Sequence, residues 1–350
     1  MSAADHAVKR ERVLALLDGT GADAVSLTSS TAVSWYLEGA RVHTSLLGAP
    51  VAAVLVDRER DLVRIHSNEV DRLRDEELGG LLGSVAIEAV PWHAPLLPDS
   101  VGRVRSEESL GAGLRAARAV LLPAERERYR SLCRDAAAAV TRELLCARPE
   151  ESEMALAGRI GGALAAVGAD PVVVMVAGQG RLAHRHPLPT GAPLGRRAMV
   201  VVCARRHGLI ANLSRWIRFD REDAAASERS AALRRVEADA FRATRPGATL
   251  AEVLAEIAAA YPRHGFAADE WTRHHQGGAA GYAGRDPRAT PEAEDVVRDG
   301  QAFAWNPTAA AAKIEDTIVV DGDRVEVLTR DGDWPEVVVG GVPRPVELTL

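Results

Sequence analysis

The chain has 350 residues, 47% hydrophobic and 26% charged, with a net charge of −6 and an isoelectric point near 6.0. That length exceeds what one hydrophobic core fills, so two domains are expected. The acidic balance excludes general binding to nucleic acid or anionic membranes. Only Lys9 and Lys313 are lysine among 43 basic residues, an arginine bias that points to base composition rather than to function. Cys133, Cys146 and Cys203 are odd in number and scattered, which fits a reducing cytoplasm. The charged stretch Met1–Arg12 does not read as a secretion signal, and no apolar run approaches the ~20 residues needed to cross a bilayer.

Residues 7–18 carry Val13, Leu14, Leu16 and Leu17 among charges, a short amphipathic helix that Gly19 can stop. Residues 24–27 and 51–56 are apolar runs bounded by turn residues and predict buried strands; 61–66 alternates as a strand, and 68–82 returns to helix. Such rapid alternation predicts a small α/β domain. Pro123 suits a first helical turn and opens a long helix to Leu145, followed by a second over 150–167 with Leu156, Ile160 and Leu164 on one face. Residues 172–176 and 199–203 are apolar strands, 226–243 and 249–260 helices split by Arg245-Pro246-Gly247, and 302–328 is strand-rich.

Several landmarks in this order resemble the creatinase and aminopeptidase P family. They are Ser29–Gly39 with its Trp35-Tyr36-Leu37, Leu122-Pro123-Ala124-Glu125, Arg245-Pro246-Gly247-Ala248-Thr249, Gly300-Gln301-Ala302-Phe303, and Phe303–Pro307 followed by Lys313-Ile314-Glu315-Asp316. The resemblance implies an α/β (α+β) fold, with a creatinase-type N-terminal domain over 1–118 and a pita-bread domain over 119–350. It also implies a homodimer in which Trp35, Tyr36 and His43 approach the neighbouring active site.

Active members of that family hold two divalent metals with Asp, Asp, His, Glu and Glu, which together activate a water. Carried over residue by residue, Cys203 and Ser214 have the family's eleven-residue spacing for the two Asp, Ala279 falls at the His, and Asn306 replaces the first Glu. Glu315 alone survives. No cofactor is therefore expected, although His184, His186, Cys203, His274 and His275 offer donors for one ion.

A branch of the family resembling creatinase breaks a C–N bond without metal, using a His as acid and base. His186, seventeen residues ahead of Cys203, matches the position, with His184 as rival. The expected catalytic set is His186, His275 and Glu315. Substrate contacts are expected from His184, Arg215, Trp271, His274, Gln276, Tyr282, Arg285, Trp305 and Asn306. Trp271–Arg285 combines four glycines with imidazoles, an amide, a phenol and two guanidiniums, a set suited to a small polar ligand. Trp305 reads equally as core, Glu315 equally as an ion-pair partner of Lys313 or Arg215, and Cys203 as a nucleophile or a small buried hydrophobe. The implied function is a metal-independent, creatinase-like enzyme cleaving an amide- or amidine-type C–N bond of a small amino-acid-like molecule. The alternatives are a non-catalytic pseudo-peptidase and an Xaa-Pro-type metallo-aminopeptidase.

Overall fold

The computed structural model describes residues 3–97, 103–220 and 223–350, so Met1 and Ser2 of the polar N-terminal stretch lie outside it. Contacts divide the chain into two compact units, Met1–Arg128 with His207–Leu209, and Tyr129–Arg206 with Ile210–Leu350.

The first unit contains α1 (Ala3–Ala15), β1 (Ala24–Leu27), α2 (Ser30–Tyr36), β2 (Ala52–Asp57), β3 (Asp61–His66), a single turn α3 (Val70–Arg72), β4 (Ala86–Val90), β5 (Val104–Ser106) and α4 (Gly111–Ala119). Its sheet runs β4-β3-β2-β1-β5. The helix expected over 68–82 is broken: after α3 the turns become irregular and reach Leu81 through Gly79 and Gly80, which hold a helix poorly. Ser29 caps α2, its hydroxyl accepting from Ala32 N at 3.1 Å. Lys9 is fully buried with its ammonium against Trp35 O at 2.6 Å, Glu38 at 2.6 Å and Glu125 at 2.7 Å. Trp35 and Tyr36 are likewise 0% exposed inside this unit, so neither reaches a neighbouring subunit's pocket as the resemblance implied.

The second unit opens within the long helix α5 (Pro123–Leu145). There follow α6 (Glu153–Ala166), β6 (Asp170–Gly178), β7 (Arg197–Arg206), β8 (Leu209–Arg218), α7 (Ala224–Ala243) and α8 (Leu250–Arg263). The remaining strands are β9 (Gly277–Ala279), β10 (Ala302–Trp305), β11 (Thr308–Ala309), β12 (Ala312–Lys313), β13 (Asp316–Asp321), β14 (Arg324–Val327), β15 (Glu336–Val339), β16 (Val342–Pro345) and β17 (Leu348–Thr349). Two four-stranded sheets result, β17-β8-β7-β6 and β14-β13-β10-β9. A reciprocal capping box between Thr249 and Glu252 starts α8.

Strand alternation decides which side chains face the helices. Phe303 and Trp305 on β10, with Ile318 and Val320 on β13, pack on Val236, Phe241, Leu254, Ile257 and Tyr261 of α7 and α8. The intervening positions, Ala304, Asn306, Glu315 and Thr317, therefore face the other way. Below this core lies a buried charge chain. Arg344 is bound to Glu237 at 2.6 Å and Asp316 at 2.7 Å, and Asp316 to Arg215 at 2.9 Å. Burial pushes the Glu237 carboxyl up to about 7, with the Arg344 charge opposing. Removing one partner strands the rest in a medium of low dielectric. Arg344→Met is therefore expected to lower the unfolding free energy by about 3–5 kcal/mol, read from urea titration; a loss no larger than that of an exposed arginine would contradict this account.

Candidate active site

The polar face of the second unit is built on the β7–β8 hairpin. Its turn residues His207 and Gly208 both have positive φ, 50° and 75°, as a two-residue hairpin requires. So tight a turn sets Asn212, rather than Ser214, opposite Cys203. The Cys203 thiol donates to Asn212 Oδ1 at 3.2 Å. Ser214, which with Cys203 has the family's eleven-residue spacing, lies two residues further along the same face of β8, where its hydroxyl is buried without a hydrogen-bond partner.

Arg285 joins this pair to β13. Its guanidinium donates to Asn212 Oδ1 at 3.0 Å and to Glu315 at 2.5 Å, with 9% of the side chain exposed. Glu315 pairs with Arg285 first and with Lys313 only at 4.0 Å. Arg215 is no alternative partner for it. It lies on the opposite side of β8, bound to Asp316 and Thr329 O, and so belongs to the charge chain rather than to a ligand site. Asn306 is buried on the same face as Glu315, and its Oδ1 has no hydrogen-bond partner.

His186, His274 and His275 form a cluster whose ligand nitrogens lie within 4.8 Å of one another. His274 Nδ1 sits 2.5 Å from the His275 carbonyl oxygen, which can only accept, so in the neutral ring this nitrogen carries the proton. His274 Nε2 is then a bare lone pair, and the 3.0 Å contact with His186 Nε2 is a bond donated by His186. The unprotonated nitrogen of a neutral His186 is therefore Nδ1, and His186 is exposed. Burial pushes His274 down to about 2 and His275 to about 3, with Lys313 adding to both and Arg285 and Arg288 adding to His275. His186 is also lowered, by burial and Lys313, against the pull of Glu315. All three are neutral at physiological pH.

The other expected contacts divide. His184 is exposed and outside the cluster, so of the two rival histidines the cluster contains His186. Trp305 stands on the helix side of β10, stacked on Phe303 at 5.9 Å, and is core. Gln276 ties Tyr261 to the carbonyls of Trp271 and His274, and Trp271 packs on the core; both brace the loop from behind. Tyr282 is buried. The glycines serve strand approach more than a ligand: a Cβ at Gly277 would stand 2.2 Å from Ala304 O, and one at Gly278 2.4 Å from Pro287 O. Cys203 is a hydrophobe with a weak donor. Burial pushes its thiol up to about 12, with Glu315 adding to the rise, so the thiolate a nucleophile requires is absent near neutrality.

Residues 127–322, more than half of the chain, match the description "Metallopeptidase family M24". Solved structures with the same fold include dipeptidase PepE from Mycobacterium ulcerans, with TM-score 0.76, 18% identity and 100% of both chains covered. The prolidase from Pyrococcus horikoshii OT3 superposes with TM-score 0.75 at 17% identity, over 92% of this chain and 98% of its own. An Xaa-Pro dipeptidase from Bacillus anthracis does so with TM-score 0.75 at 15% identity, over 99% and 100%. No curated protein matches the sequence. The mixed α/β fold with its pita-bread core is thereby accounted for: the chain belongs to metallopeptidase family M24. Among the described residues no helix is long and apolar enough to cross a membrane.

A two-metal centre does not fit this donor set. Two dications need several anionic oxygens, whereas the five matching positions offer one carboxylate (Glu315), an amide (Asn306), a hydroxyl (Ser214), a protonated thiol (Cys203) and Ala279. A guanidinium already spans Asn212 and Glu315. The three imidazoles have the spacing to hold one ion, but Lys313, Arg285 and Arg288 charge their surroundings positively.

Two outcomes follow from these protonation states. At pH 8 a small alkylating reagent is expected to modify exposed Cys146 and to leave Cys203 intact; equal rates by peptide mapping would refute the neutral thiol. The depressed histidines bind fewer protons folded than unfolded. Their contribution to stability is present above about 6.5, the unfolded value, and drains as pH falls toward 3. His275→Asn should flatten that acid slope in the melting temperature, and an unaltered slope would contradict the assignment.

Proposed function

We propose that the protein is a metal-independent, creatinase-like M24 enzyme that cleaves an amide- or amidine-type C–N bond of a small, polar, amino-acid-like molecule. The reading is supported by Arg285 lying between Asn212 and Glu315, a fixed positive charge on the one carboxylate that matches a metal-ligand position. Electrostatic stabilisation of a developing oxyanion needs charge held in place in a dry site, and a guanidinium supplies it without a proton to lose. His186 is the acid–base residue in this scheme. Its bare Nδ1 takes a proton from the attacking water and returns it to the departing nitrogen, while His274 accepts from Nε2 and fixes the tautomer. His275 stacks on His274 and holds the second imidazole in line. Glu315 orients Arg285 and is a positioning residue rather than a base. Lys313 and Asn306 supply further polar contacts, and the acidic chain acts as a cytoplasmic homodimer without nucleic-acid or membrane partners.

A second reading is a non-catalytic binder. It is favoured by one observation: Glu315, the surviving carboxylate at these positions, is paired through Oε1 with Arg285 at 2.5 Å. The Xaa-Pro-type metallo-aminopeptidase suggested by the names of the structural relatives has less support, because the donor set does not suit paired dications.

A panel of small amides, ureas and guanidino acids separates these readings. The enzyme reading expects turnover unchanged by chelator, lost in His186→Ala, and reduced by about a hundredfold or more in Arg285→Gln with the fold intact by circular dichroism. Turnover abolished by chelator, or undiminished in Arg285→Gln, would overturn it.

A further inference from the structure

Four arginines meet at a second place in this unit, outside the Arg285 cluster. A cavity of about 750 Å³ opens where the start of β7, the end of β8, the start of α7 and the β11–β12 turn come together, and Arg196, Arg197, Arg218 and Arg229 line it. Among the described residues three carboxylates stand beside them, and each is already committed. Glu347 is shared, taking Arg197 Nε at 2.6 Å on one oxygen and Arg218 Nη2 on the other. Asp223 caps α7, accepting from Ala225 N at 3.0 Å and Ala226 N at 3.2 Å. Asp220 reaches Arg196, at 3.6 Å. Arg229 is exposed, and its one hydrogen bond among the described residues goes to Ala310 O at 3.1 Å, a neutral acceptor that does not offset its charge. In a protein of net charge −6 this cavity therefore holds more cation than it neutralises.

We propose that this cavity is a second ligand site, which binds a small molecule carrying a carboxylate or phosphate group on a short apolar body. Arg229 holds the oxyanion. Arg218 adds the charge that Glu347, divided between two guanidiniums, leaves uncompensated, and the planar fork of a guanidinium suits either oxyanion. The rest of the wall is apolar and mostly small: Leu182, Ala183, Ala225, Ala226, Ala310 and Ala311. Side chains of that size leave space open, and the volume lies within the range of small-molecule pockets. The site is distinct from the Arg285 cluster. Arg218 lies six residues beyond Asn212 on β8, about 20 Å along an extended strand. Trp216 occupies the strand between them, with the Arg197 guanidinium stacked over its ring at 4.1 Å. Binding here is independent of the hydrolytic reading and survives its failure.

The test is calorimetric titration of the intact protein with hexanoate, hexyl phosphate and hexanol, which share one apolar body and differ in the head group. At least one anion should bind about tenfold or more tightly than hexanol, and the tighter of the two identifies the head group as carboxylate or phosphate. Arg229→Gln should weaken that anion by about tenfold or more, the worth of one charge-assisted hydrogen bond. Because Arg229 is exposed, the melting temperature should stay as in the native chain. Ala225→Phe, which narrows the cavity from the first turn of α7, should weaken binding as well, while Arg285→Gln should leave it unchanged. Hexanol binding as tightly as both anions, or an affinity undiminished in Arg229→Gln, would overturn the proposal. So would binding lost in Arg285→Gln, which would put the anion at the other cluster.

Discussion

A single guanidinium sets the character of this site. Arg285 reaches from the glycine-rich loop to Asn212 on β8 and Glu315 beside β13, and so ties two sheets together through one planar cation. That charge depresses His275 and opposes the rise of Cys203, as Lys313 does for His186 and His274. The neutral imidazole cluster and the scarcity of anionic donors are two sides of the same electrostatic arrangement. A cluster with fixed positive charge repels dications and attracts carboxylates and developing oxyanions.

The supporting structure explains why the cation stays where it is. Gly277 and Gly278 let β9 and the following loop press against β10 and residues 287–289 at distances that no side chain allows. Gln276, bonded to Tyr261 and to the carbonyls of Trp271 and His274, fixes the segment from behind. The helix-side core of Phe303, Trp305, Ile318 and Val320 then holds β10 and β13 flat, so that Asn306 and Glu315 present themselves on the opposite face. Packing on one side of the sheet buys the geometry of the other.

Much of this was legible in the sequence. Short apolar runs announced strands in both units, Pro123 and Pro246 marked the starts of α5 and α8, and the landmark order pointed to the M24 fold. His186 was singled out from its interval before Cys203, and His275 and Glu315 from their motifs. What escaped was set by backbone geometry or by long-range pairing. The two-residue turn at His207-Gly208 sets Asn212, which the sequence did not single out, opposite Cys203. Trp305 and Arg215 sit on the far faces of their strands, and only sheet register tells one face from the other. Arg285 was visible as one polar residue among many, because nothing local in the chain announces that it reaches residues 73 and 30 positions away.

The most direct measurement is the metal content of the intact protein after equilibration with excess Mn²⁺, Co²⁺ or Zn²⁺ and exhaustive dialysis, measured beside Arg285→Gln. An arginine-occupied centre predicts that no pair of ions is retained by the native chain. Two tightly held ions per chain would contradict that account outright.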